Sequence, residues 1–139
     1  MSSDEPVQEL DRDECRELLK ESVLGRLATA AGGEVDIFPV NYYSDGDSIL
    51  IRTAPGTKLL ELTVRDTVAF ETDGYSDDEA WSVVAHGRAR QLDQQAEIDE
   101  ADRAPLRPWV PTLKYRYIHI DITALSGRRF HRTAEPERW

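Results

Sequence analysis

Ile49-Leu50-Ile51-Arg52-Thr53-Ala54-Pro55-Gly56-Thr57-Lys58 is the stretch on which the reading of this 139-residue chain turns. Its apolar start reads as a buried strand. That strand must stop at Pro55-Gly56, where one residue lacks an N–H and the next favours turn conformations. Thr57 can then cap a short helix whose Leu59 and Leu62 face inward. Arg52, Thr53, Thr57 and Lys58 crowd the junction with two cations and two hydroxyls. Helix N-termini present unpaired donors and positive potential, Arg can fork onto two oxygens, and Lys adds a point charge. The junction is therefore a candidate seat for a phosphate. The fragment equally fits a turn with no ligand, because a Pro-Gly turn beside an exposed lysine recurs in many folds.

Working outward, Val23–Thr29 and Val35–Tyr43 read as a hairpin turned at Gly32-Gly33,. Asp45-Gly46-Asp47 turns the chain into Ile49–Thr53, which completes a three-stranded meander,. Pro39 removes a ladder N–H from the second strand, which implies an edge, a bulge or backbone left open for another group. Upstream, residues 1–9 are polar and expected to fray. Asp11 can cap a helix with Glu14 as its capping-box partner and Leu10 stapled onto Cys15, so that Cys15, Leu18 and Leu19 share one face. Cys15 then reads as a small core residue.

Downstream, Thr67–Thr72 is a fourth strand, Asp73–Glu79 an acidic loop and Trp81–Arg90 a fifth strand. Gly87 inside it predicts a bulge or a close backbone approach. Asp93 can cap a helix through Ala101, and Pro105, Pro108 and Pro111 enforce an irregular crossing that carries Trp109,. Lys114–Ile122 alternates cleanly. Arg116, Ile118, Ile120 and Ile122 lie on one face, with Tyr115, Tyr117, His119 and Asp121 on the other,. Thr123–His131 is expected as a last strand turned at Ser126-Gly127, and residues 133–139 as a tail. The expected fold is mainly β within an α+β frame. It is one domain over residues 10–132, a six- to seven-stranded antiparallel barrel with short helices at its ends.

Net charge is −10, from 17 basic against 27 acidic residues, which argues against nonspecific binding to nucleic acid or anionic membrane,. A small anionic cofactor stays possible, since screening over ~8 Å lets near cations outweigh distant carboxylates. No apolar run approaches the ~20 residues of a membrane span, and Met1-Ser2-Ser3-Asp4-Glu5 lacks a secretion signal,. With Cys15 as the single cysteine, these features point to the cytoplasm,. Neither a G-x-G-x-x-G, a P-loop, a C-x-x-C, an H-E-x-x-H nor a G-x-S-x-G occurs,. What remains is the junction, Pro39-Val40-Asn41 on its interrupted strand, and Trp81 and Trp109, either core anchors or covers for a flat aromatic ligand.

Taken in order, these pieces resemble the pyridoxamine 5′-phosphate oxidase-like family, the flavin-binding split β-barrels. The resemblance spans roughly Leu10 to Arg129. It rests on Gly25-Arg26-Leu27-Ala28, Phe38-Pro39-Val40-Asn41-Tyr42, Arg52-Thr53-Ala54-Pro55-Gly56-Thr57-Lys58, Val68-Ala69-Phe70-Glu71, Trp81-Ser82-Val83 and Leu106-Arg107-Pro108-Trp109. It implies a homodimer with FMN in each of two clefts between subunits. By the same resemblance, Arg52, Thr53, Thr57 and Lys58 hold the phosphate. Phe38, Pro39, Val40 and Asn41 line the isoalloxazine with Leu59 nearby, and the other subunit adds Trp81, Ser82 and Trp109. The extra segments that clamp substrate in enzymes making pyridoxal phosphate have no counterpart here, so the implied activity is flavin-dependent oxidation or reduction of another small molecule. Three alternatives stand beside it. One is a deazaflavin (F420) reductase drawing on Arg88, Arg90 and Arg107. The others are a flavin- or haem-binding module without turnover, and a barrel with an empty cleft. No side chain is required as a catalytic acid or base, because a flavin carries its own chemistry.

Overall fold

The last strand, β8 (Arg116–His131), is the spine of the fold. In the computed structural model, which describes residues 6–63, 67–106 and 114–132, β8 pairs along its length with β7 (Glu79–Gln91). Its other edge takes β5 (Ser48–Thr53) and then β1 (Val7–Glu9). The expected turn at Ser126-Gly127 is absent, and Gly127 stays in the ladder opposite Val83. Its lack of a side chain serves packing: a Cβ there would lie 2.8 Å from the Cys15 sulfur. Residues 7–9 are likewise a strand and not part of a frayed tail, held through the Val7–Phe130 pairing and by Leu10 N–H donating to Gly127 O at 3.0 Å.

Beyond β7 the sheet continues through β6 (Thr67–Tyr75) and β2 (Leu24–Ala31) to β3 (Glu34–Asn41). Beyond β5 it ends at β4 (Tyr43–Ser44). All pairings are antiparallel, and the eight strands curl into a half-barrel that brings β3 back beside β5. The expectation of six or seven strands missed the short β1 and β4. Gly32 and Gly33, with φ of 60° and 80°, make the β2–β3 hairpin, a conformation that L side chains avoid,. The expected acidic loop shrinks to residues 76–78 because β6 and β7 extend into it.

The bulge at Gly87 is present, with the β7–β8 register slipping between His86 and Gly87. Of the helices, α1 (Arg12–Glu21) carries the expected capping box, with Glu14 N–H donating to Asp11 Oδ1 at 2.9 Å. It buries Cys15 and Leu19, and Tyr42 donates its hydroxyl to Leu19 O at 2.7 Å. Lys58–Thr63 forms α2, which buries Leu60. The third helix, α3 (Gln95–Asp102), starts after Gln94 without a side-chain cap, so Asp93 does not serve as one.

Inside the half-barrel, Leu27, Ile49, Ile51, Phe70, Ala85, Ile118 and Ile120 form the main core with Leu19 and Tyr42. A second cluster, Leu50, Leu92, Ala101 and Tyr117, lies on the opposite face of β5 and β8 beneath α3. The alternation seen in Lys114–Ile122 therefore separates two buried faces.

Candidate functional site

At the end of β5 the strand's period of two sends neighbouring side chains to opposite faces. Thr53 continues the inward row of Ile49 and Ile51, whereas Arg52 continues the row of Leu50 beneath α3. The Thr53 and Thr57 hydroxyls share a hydrogen bond of 2.9 Å, and Thr57 Oγ1 accepts from Leu60 N–H at 3.2 Å, which caps α2. Lys58 reaches across to β3, where its Nζ lies 3.1 Å from Asp36 Oδ1 and 3.8 Å from Glu34 Oε1. The Asp36 hydrogen bond and the two nearby carboxylate charges raise its pKa above the ordinary lysine value. Asp36 stands opposite Thr29 in the β2–β3 register. Thr29 Oγ1, on a residue 2% exposed, and Asp36 Oδ2 are both buried without a hydrogen-bond partner. This corner thus holds the paired Thr53 and Thr57 hydroxyls and one ammonium, which faces two carboxylates of β3, with the Thr29 hydroxyl in register with one of them.

Arg52 is not brought into this corner. Its guanidinium lies 4.5 Å above the Tyr115 ring,. Tyr115 and Tyr117 both donate their hydroxyls to Asp102 Oδ1, at 3.0 and 2.7 Å. Burial and the Asp102 carboxylate push the Tyr117 hydroxyl far above the usual phenol range. This network ties β5 and β8 to the end of α3, and it is structural in character. The cation that shares a sheet face with Thr53 is Arg116, its register partner on β8 and an exposed residue,. Reading from sequence did not single out Arg116, although the alternation had already put it on the face of Ile118 and Ile120; its guanidinium donates to Tyr115 O at 3.1 Å.

Phe38 and Val40 point into the core, with Leu59 packed against the same cluster. Pro39 is exposed opposite Arg26, and Asn41 donates Nδ2–H to Val23 O at 3.4 Å. β3 ends the sheet, with β2 as its neighbour, so its outer backbone edge is in no ladder among the described residues, although β5 comes near it. An edge is what Pro39 allows. Trp81 and Ser82 sit elsewhere. Trp81 pairs with Arg129 at one end of β8, and Thr53 pairs with Arg116 at the other. The Trp81 ring covers Gly74, where a Cβ would come within 2.7 Å of it. Ser82 lines a groove of about 460 Å³ with Leu10, Val84, Ser126 and Arg128. Trp109 lies outside the described residues, as does Arg107, while Arg90 is held by Glu97 at 2.6 Å.

The outer face of β3, β2 and β6 is apolar and finely grained. Ile37, Ala28 and Ala69 form a row across it, with Ile37 68% and Val35 73% exposed. Arg26 Nη1 clamps Glu71 at 3.1 Å and Asp73 at 3.2 Å beside that row. Burial raises the Glu71 pKa, and its contact with the Asp73 side chain adds to the shift. Among the described residues no group of three or more His, Cys, Asp or Glu could hold a metal ion, and no helix is long and apolar enough to cross a membrane. The corner can bind a polar or anionic group, and its side chains supply no nucleophile–base pair.

Comparison with known proteins agrees with this fold. The family model described as pyridoxamine 5′-phosphate oxidase matches residues 11–129. A crystal structure from Corynebacterium glutamicum, of a protein named for pyridoxamine 5′-phosphate oxidase, superposes with a TM-score of 0.88 at 41% identity, covering 96% of this chain and 100% of that one. The FAD-binding protein of Mycobacterium smegmatis gives a TM-score of 0.82 at 37% identity over 91% of this chain and 100% of its own. An uncharacterised Mycobacterium tuberculosis protein is 40% identical over 93 residues, 67% of this chain and 84% of its own length. With a family model that matches residues 11–129 and solved structures 41% and 37% identical over 96% and 91% of its length, the chain belongs to the pyridoxamine 5′-phosphate oxidase family.

Proposed function

We propose that this chain binds a flavin nucleotide between two copies of itself and works as a flavin-dependent oxidoreductase in the cytoplasm. The observation that carries the proposal is the hydrogen-bonded Thr53–Thr57 pair at the start of α2, from which Lys58 reaches Asp36 on the edge strand β3. Two features there fit a phosphorylated ligand: the Thr29 hydroxyl, buried and without a partner, and a lysine aimed along the sheet's inner face. Thr53, Thr57 and Lys58 would hold the phosphate with Arg116 at the rim. The backbone of Phe38, Pro39, Val40 and Asn41 would border the ring, with Leu59 beneath. When bound, the flavin supplies hydride and electron transfer. The protein binds it, fixes its orientation and keeps water away.

The second copy belongs on the outer face around Ile37, Ala28 and Ala69. Small side chains there allow close approach, and exposed isoleucine and valine gain from burial,. The Ser82 groove, remote from the corner of its own subunit, would then serve the partner's ligand together with Trp81 and Trp109. FMN is the cofactor the motifs imply. FAD is the second reading, favoured by the FAD-binding Mycobacterium smegmatis relative. F420 draws less support, because Arg90, one of the cations it would call on, is already paired with Glu97.

The test is the visible spectrum of protein purified without added cofactor, followed by mass analysis of whatever is released on denaturation. A flavin spectrum with the mass of FMN or FAD is expected, followed by bleaching on reduction and recovery with an electron acceptor. A colourless protein that binds neither flavin in a titration would overturn the proposal. A flavin that NAD(P)H and reduced deazaflavin leave oxidised would make the chain a carrier and not an enzyme.

A further inference from the structure

The corner that would take a phosphate already contains an anion. We propose that Asp36 is a resident counter-ion that occupies Lys58 while the corner is empty and competes with a ligand's phosphate for it, so that this one carboxylate sets how strongly the site prefers phosphorylated flavins. The inference rests on the flavin reading above.

The geometry is specific. Asp36 Oδ1 takes Lys58 Nζ at 3.1 Å, and the Asp36 side chain is only 21% exposed. Its second oxygen, Oδ2, is buried with no hydrogen-bond partner, and the Thr29 hydroxyl in register with it is equally unsatisfied. Buried polar atoms cost free energy when they are left without partners. The Thr29 hydroxyl can donate to a phosphate oxygen, whereas the Asp36 carboxylate, an acceptor only, repels a dianion,. Glu34 adds a second, exposed carboxylate 3.8 Å from the same ammonium. Among the described residues, the Lys58 ammonium is thus met by two carboxylates, Asp36 and Glu34, before any phosphate dianion arrives. Such a corner holds phosphate less firmly than its lysine alone would suggest. It gives up Lys58 only to a group that replaces the Asp36 contact.

The experiment compares FMN with riboflavin, which shares the ring and lacks the phosphate, on the full-length wild type and on Asp36→Asn. The substitution keeps shape and hydrogen-bonding capacity while removing the charge. FMN affinity is expected to rise about fivefold, the scale of one partly exposed charge contact, with riboflavin affinity unchanged. In a Lys58→Ala background the same substitution should no longer tighten FMN, because the competition acts through Lys58. An FMN-to-riboflavin ratio that stays constant or falls in Asp36→Asn overturns the counter-ion role and leaves flavin binding intact. Wild-type protein that binds neither compound removes the flavin reading, and this inference with it. Unaltered riboflavin binding also certifies that the variant is folded.

Discussion

Lys58 is the residue on which the proposed site is most exposed to test. A charge-assisted hydrogen bond contributes about 1.5–3 kcal/mol, so Lys58→Ala should weaken FMN binding about ten- to a hundredfold while leaving riboflavin affinity unchanged, as measured by fluorescence titration. At this scale the sequence was readable wherever the logic was local. Thr53, Thr57 and Lys58 lie within one turn of chain; the Thr53 and Thr57 hydroxyls meet, while Lys58 reaches Asp36 on β3. Arg52 instead lies above Tyr115 beneath α3, because adjacent strand residues face opposite ways,. Asp36 could not be read as part of the corner from its own neighbourhood. Its position depends on the β2–β3 register and on β3 returning beside β5, both set by tertiary closure.

Among the elements, the Gly87 bulge makes the sharpest stability claim. A Cβ at Gly87 would lie 2.3 Å from Asp121 O and 2.8 Å from the Ile120 Cγ2 methyl, and the first contact is with backbone that cannot swing aside. Gly87→Ala should therefore cost about 2–4 kcal/mol in a urea unfolding titration, as overpacking against fixed atoms does. This position was legible because glycine weakens a strand interior, so its presence within a long β pattern signals a bulge or a tight backbone approach. The turn assigned to Ser126-Gly127 failed on the same rule. There glycine makes room for Cys15 of α1, a contact between residues far apart in the chain. Strand ends erred for a related reason. β6 and β7 keep pairing through an acidic stretch that composition marks as loop, since ladder hydrogen bonds and the Arg26 clamp on Glu71 and Asp73 outweigh weak propensities there,.

For the molecule as a whole, the proposed assembly predicts that Ile37→Asp, at the β3 end of the exposed row, shifts the protein from dimer to monomer in sedimentation velocity and lowers flavin retention with it,. Retained dimerisation in that variant would move the interface to another face. The fold class was visible in advance because patterning reports which class of packing a chain can satisfy. β8 carries a further consequence. It joins β7 on one edge to β5 and β1 on the other, yet it follows all of them in the chain. During synthesis the earlier strands emerge as two ribbons with bare edges and a lone β1, awaiting a keystone made after them. A nascent chain halted at Lys114 should stay open to proteolysis, and locking should come in one step once Arg116–His131 clears the ribosome.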